Sequence, residues 1–188
     1  MAKQIRSSIN FFKIHIGKRF FLSSSALFGD LFFEFDNGFF PCKDWNDFTI
    51  EVLNWWISAL LELSEGKPVD CLYLDGSFMF TVKMNHQKQC IVRFIEGGLG
   101  EKEVIHKELQ TSLKDLMGEL ISACEDFFEV IKAPDSLKLI EDGTDIDPKE
   151  LMNEIHKNPR ILEDFNVLVE GYQELLKQKE FLDTDPKL

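Results

Sequence analysis

The chain has 188 residues, enough for one domain with a substantial core and too few for two large ones. Hydrophobic residues make up 44% and include eighteen Phe, which excludes a disordered chain. Thirty-three Asp and Glu oppose 21 Lys and Arg, and the excess is one-sided: residues 1–95 carry ten of each sign, residues 96–188 eleven basic and twenty-three acidic. Such a surface repels nucleic-acid phosphates and anionic lipid headgroups, and it attracts basic partners over about 8 Å at physiological salt.

Residues 8–16 alternate, with Phe12, Ile14 and Ile16 on one face and Lys13 and His15 on the other, the pattern of a half-buried strand. Gly17-Lys18 reads as a turn into Arg19–Ser23, a second strand or short edge piece. Leu31–Phe35 is a further strand, closed by Asp36-Asn37-Gly38, after which Phe39-Phe40-Pro41 leads into a helix. That helix, residues 44–65, is capped by Asp44 and closed by Gly66 and Pro68. All three tryptophans fall within it. Its polar residues, Asp47, Glu51, Asn54, Ser58 and Glu62, draw one narrow stripe, so the rest of its circumference must be buried. It is expected at the centre of the protein, with Trp55 and Trp56 pointing about 100° apart and at least one of them facing a sheet.

Residues 69–109 read as a four-stranded antiparallel meander. Asp75-Gly76 marks a tight type I′ hairpin, residues 85–88 a second turn, and Gly97-Gly98-Leu99-Gly100 a loop. Thr111 or Ser112 then caps a helix whose apolar set runs at helical period from Leu113 to Ile131. Residues 133–146 read as a loop. Asp147-Pro148-Lys149-Glu150 opens a short helix to about His156, and Asn158-Pro159 opens the last one, with Ile161, Leu168, Tyr172 and Leu175 among its buried stripe. The fold class is therefore α+β. An antiparallel sheet of N-terminal strands plus the 69–109 meander packs on the central Trp-rich helix, and helices follow at the C-terminal end. One globular domain spans residues 1–180, strand-rich to 110 and helical from 111, with residues 181–188 a frayed tail.

Sites of known chemistry are sparse in the sequence. His15, His86, His106 and His156 stand singly, without zinc spacing. The glycines at 97–100 lead into a strand rather than a helix N-terminus, which argues against a phosphate loop. Residues 142–150, DGTDIDPKE, place their glycine second where a calcium loop needs it sixth. Cys42, Cys71, Cys90 and Cys124 are widely spaced in apolar surroundings, which suits free thiols in the cytoplasm. No run has the ~18 apolar residues of a membrane span. No catalytic residue, cofactor or metal site is expected.

The ordered polar feature lies on the helix from 112. Asp115, Glu119, Ser122, Asp126 and Glu129 recur at four, three, four and three residues, with Glu125 at the stripe's edge. A solvated face would serve as well, but such faces usually mix signs to gain ~0.2–0.5 kcal/mol per i,i+4 pair, and here like charges stack. Glu141, Asp142 and Asp145 add a second acidic cluster in the adjoining loop. These eight acids are the candidate partner-binding residues, with aromatics nearby as anchors.

Trp45, Asp47, Phe48, Trp55, Trp56, Asp75, Gly76 and Phe78 form a pattern that resembles a group of uncharacterised bacterial proteins over residues 40–83. Small acidic α+β proteins of this kind resemble the immunity proteins encoded beside bacterial toxins. The resemblance implies a fold, and it implies a non-enzymatic inhibitor of a basic toxin domain, with no catalytic residue carried over. The competing expectation is an enzyme or small-ligand binder with a pocket beside the tryptophan helix.

Overall fold

The computed structural model describes residues 11–23, 25–97, 102–132, 138–141, 144–146 and 151–184. Among the described residues ten strands and four helices follow in the order β1 (Phe12–Leu22), β2 (Leu27–Phe35), β3 (Gly38–Phe40), β4 (Asn46–Phe48), α1 (Thr49–Ser64), β5 (Val69–Leu72), β6 (Phe78–Met84), β7 (Gln89–Glu96), β8 (Val104–Ser112), α2 (Leu113–Lys132), β9 (Lys138–Glu141), β10 (Thr144–Ile146), α3 (Leu151–Lys157) and α4 (Pro159–Thr184). The fold is α+β with predominantly antiparallel pairing, N-terminal strands and C-terminal helices.

The strands divide between two sheets. One runs β10-β9-β1-β2-β3 with β4 also on β2, and the other is the meander β5-β6-β7-β8. Their inner faces meet in a layer of rings. Phe33 of β2 touches Phe80 of β6 at 5.0 Å, Phe94 of β7 at 4.9 Å and Trp56 of α1 at 5.6 Å, mostly edge to face as ring quadrupoles favour. Lys107 of β8 donates to Asn37 Oδ1 at 3.0 Å and sits 4.4 Å above the Phe35 ring, tying the β2–β3 hairpin to the far edge of the meander.

Gly17-Lys18 is no turn. β1 continues through both residues, and its register against β2 jumps between Ile16 and Phe20, a bulge that keeps one long strand. A Cβ at Gly17 would come within 2.4 Å of Asp30, so the bulge needs glycine to pass this buried carboxylate. Residues 138–141 and 144–146, within the expected loop, are strands. β9 pairs in parallel with β1 over Arg19–Leu22, and β10 folds back on β9.

α1 starts later than its periodicity suggests. Asn46, Asp47 and Phe48 pair with Asp30, Gly29 and Phe28 as a strand, while Asp44 adopts φ 59 and caps nothing. Trp45 therefore precedes the helix. An apolar residue at 45 and another at 48 satisfy strand and helix alike, and pairing with β2 decides between them. Within α1 the stripe splits. Ser58 and Glu62 are exposed beside Trp55, whereas Glu51 and Asn54 are tucked under α4, where the Asn54 side-chain amide donates to the Asp164 carbonyl at 2.9 Å.

The Asp75-Gly76 hairpin is present, but it is wider than a two-residue turn. The Tyr73 N–H bonds the Phe78 carbonyl at 3.0 Å, so Leu74–Ser77 form the loop, with Gly76 at φ 79. The loop is open because the N–H groups of Leu74 and Asp75 turn inward to the carboxylate of Asp47, at 3.1–3.2 Å.

Trp56 is fully buried and donates its indole N–H to the Leu72 carbonyl at 2.9 Å, whereas Trp55 is 46% exposed. Trp56→Ala should therefore cost about 3–5 kcal/mol in urea unfolding, and Trp55→Ala about 1 kcal/mol or less. Equal losses at the two positions would contradict this placement of α1.

Candidate functional face on the two long helices

α2 begins on a Ser112 cap. The Ser112 hydroxyl accepts the Asp115 N–H at 3.0 Å and donates to the Asp115 carboxylate at 2.7 Å. α4 begins on Asn158, whose side-chain oxygen accepts the N–H groups of Arg160 and Ile161. The two helices run antiparallel. Lys114 pairs with Asp183, Gly118 lies beside Lys179, Tyr172 bonds Glu125, and Phe128 meets Phe165. Leu116, Met117, Leu120, Cys124 and Phe127 of α2 and Ile161, Leu168 and Leu175 of α4 enter the core, which turns the acids of α2 outward.

The predicted stripe does not present itself evenly. Asp115 is exposed but belongs to the cap. Glu119 is half-buried and accepts the Ile14 N–H, closing the part of β1 that β9 leaves unpaired; burial lifts its carboxyl above the ordinary value, against the pull of that N–H and of Lys13. Reversing its charge would thus disturb the β1 edge as well as the surface. Glu125 is exposed and accepts the Tyr172 hydroxyl at 3.0 Å. Asp126 and Glu129 reach solvent and make no ion pair or side-chain hydrogen bond among the described residues.

Glu141 and Asp145 lie on β9 and β10, at the edge of the first sheet rather than in a loop adjoining α2. Their side chains and all of Asp142 lie outside the described residues, as do residues 147–150, so the capping box expected there is not part of the site's geometry.

Between α2 and α4 lies a feature that periodicity assigned to the core. The Phe128 ring contacts Phe165 at 6.0 Å and Tyr172 at 5.4 Å, both near perpendicular, and all three rings are only partly buried. Phe128 sits three residues after Glu125, on the same side of α2, and next to Glu129. The signal was there in part: Phe128 and Tyr172 fall at the margins of their apolar stripes, where a side chain meets the neighbouring helix and solvent together. Burial, reinforced by the adjacent Glu125 charge, pushes the Tyr172 phenol up to about 12.

The second sheet carries its own surface feature. Leu72, Met79, Ile95 and Ile105 stand in register on four adjacent strands and make an apolar row across its outer face, beside a polar row of Asp70, Thr81, Arg93 and Glu108. Arg93 Nε donates to Glu108 at 2.6 Å.

The histidines are dispersed. His15 contacts Glu34, His106 contacts Glu96, His156 bonds the Met152 carbonyl, and His86 lies in the β6–β7 turn. Among the described residues no group of three or more His, Cys, Asp or Glu is placed to hold a metal ion, and no helix is long and apolar enough to cross a membrane. Cys71, Cys90 and Cys124 are buried free thiols, and burial pushes Cys90 to about 11 and Cys124 to about 12; Cys42, expected among apolar neighbours, is exposed.

Glu125→Gln keeps a hydrogen-bond acceptor but removes the charge. It should lower the Tyr172 titration from about 12 without returning it to 10, since burial is the larger cause. A ¹³C-tyrosine pH titration reads this directly, and an unmoved Tyr172 would show that the two side chains are not coupled.

Comparison with known proteins finds no family model, curated protein or solved structure that matches the chain.

Proposed function

We propose that this chain is a non-enzymatic protein-binding module whose α2–α4 face docks a basic protein, in the manner of an immunity-type inhibitor that neutralises a basic toxin domain. The observation that carries the reading is the state of Asp126 and Glu129: two carboxylates on a rigid, twenty-residue helix that reach solvent and form no ion pair among the described residues. Glu125 and Glu129 also stand one turn apart with the same sign, an arrangement that costs an isolated helix a few tenths of a kcal/mol and that a partner's cations would relieve. α4 adds the exposed Glu163 and Glu170 to the same helical layer.

An inhibitor of this kind needs a preorganised surface and a complementary field rather than reacting groups. The field raises the rate of encounter and selects the partner, and the half-buried rings of Phe128, Phe165 and Tyr172 supply contact area with little side-chain entropy to lose. The residues behind the immunity-protein resemblance serve mainly the fold: Asp47 and Trp56 are buried, and Gly76 shapes a turn. They support a shared scaffold and leave the identity of the partner to the helical face.

Asp126 and Glu129 are the positions to reverse, because Glu119 is engaged with β1. Asp126→Lys with Glu129→Lys should slow stopped-flow association with a purified basic partner, flatten the dependence of that rate on salt, and leave stability within about 0.5 kcal/mol. An unchanged association rate and salt slope would remove this face from the interface.

A further inference from the structure

We infer that the α2–α4 seam is built to seat an arginine side chain, in preference to lysine, from the basic partner; the inference rests on the docking face proposed above. The seam offers two things together. One is an aromatic surface, with the Phe128 ring meeting Phe165 at 84° and Tyr172 at 78° and each ring partly open to solvent. The other is negative charge at its rim, from Glu125 on the same side of α2 as Phe128 and from Glu129 beside it.

A perpendicular arrangement of rings leaves a ring face available to a flat group lying across its neighbour's edge. The guanidinium is flat, weakly hydrated and attracted to ring faces, and its forked N–H groups match a carboxylate two at a time. Glu125 suits that role. Its Oε1 already accepts the Tyr172 hydroxyl at 3.0 Å, which holds the carboxylate in place at the edge of the rings and leaves a lone pair on Oε1 and both on Oε2 for the two prongs of the fork. An ammonium would gain the charge attraction but not the stacking, and it would lose more hydration on entering the seam. Of the chain's own described bases on the two helices, Lys114 and Lys177 are paired with Asp183 and Glu174, while Lys132, one turn beyond Phe128, and Arg160, at the start of α4, lie toward one end of the seam and leave the Glu125 end acidic. The complement of this seam is therefore a cation with a planar, apolar face.

The test uses the full chain and two synthetic peptides of equal length and charge, one arginine-rich and one with every arginine replaced by lysine, followed by NMR with ¹³C-labelled Phe and Tyr. The expected result is roughly three- to thirtyfold tighter binding of the arginine peptide at the same salt, with the largest shifts on Phe128, Phe165 and Tyr172. Phe128→Leu should weaken the arginine peptide more than the lysine one and so abolish the preference. Glu125→Gln, which keeps the core intact, should weaken the arginine peptide more than the lysine one. If both peptides bind this face equally, the arginine inference is wrong and the acidic docking face stands. If neither peptide shifts any residue of α2 or α4, both are wrong.

Discussion

One buried carboxylate governs how the two halves of the strand-rich region meet. Asp47 is fully inaccessible, and four donors converge on it: the N–H groups of Phe48, Leu74 and Asp75, and the indole N–H of Trp45. Asp47 belongs to β4, which is paired to β2 of the first sheet, whereas Leu74 and Asp75 belong to the loop between β5 and β6 of the second. A single side chain thus satisfies backbone donors from both sheets and from the entry to α1. Burial still dominates its protonation, and the carboxyl sits above its ordinary value of 3.8 despite those donors. The charged form is accordingly costlier in the folded chain than in the unfolded one. That cost is absent below the ordinary value and grows as pH rises through the raised one. The fold tolerates it because removing the carboxylate would strand several backbone donors, each worth about 1–3 kcal/mol.

Around this anchor the rest follows by packing. With the Leu74–Ser77 loop drawn against β4, Trp45 lies edge-on to Phe78 at 4.9 Å, and Tyr73 places its hydroxyl on the Phe40 carbonyl. Trp56 and Phe33 then fill the space between the sheets, and α1 closes one end of the ring layer. α2 and α4 pack outside α1 and β1, which leaves Asp126 and Glu129 on their outer face free of scaffold duties, whereas Asp115 serves the cap, Glu119 the β1 edge and Glu125 the bond to Tyr172. A protein that binds through a charged helical face benefits from this arrangement, since the face is backed by the same core that holds both sheets and has little freedom to lose on binding.

Much of this was legible in the residues. The 3.6-residue periods of α2 and α4, the Ser112 and Asn158 caps and the alternation along the meander specify their elements locally, and the structure has each of them. The failures share a cause: long-range pairing overrode a local signal. Gly17-Lys18 looks like a turn until β2 and β9 are present to hold β1 straight. Residues 138–146 carry no apolar alternation strong enough to announce strands that exist only by pairing, β9 with β1 and β10 with β9. Asp47 read as part of a polar stripe on a helix, because nothing in the sequence shows that the strand it occupies will bring it beneath the Leu74–Asp75 backbone. On the candidate face, the acids could be read from their spacing, but the aromatic seam beside them depends on how α4 crosses α2, which no single helix specifies. The engagement of Glu119 with the β1 edge was invisible for the same reason.

Asp47 is the tie between the sheets, and amide hydrogen exchange at Leu74 and Asp75 tests that role most directly. In the native chain both amides should be protected comparably with those of Phe80 and Val82. In Asp47→Asn, where an amide NH₂ faces the donors, protection at Leu74 and Asp75 should fall by about tenfold or more relative to Phe80 and Val82. Unchanged protection at those two amides would mean that something other than Asp47 holds the loop, and that this carboxylate is not the tie between the sheets.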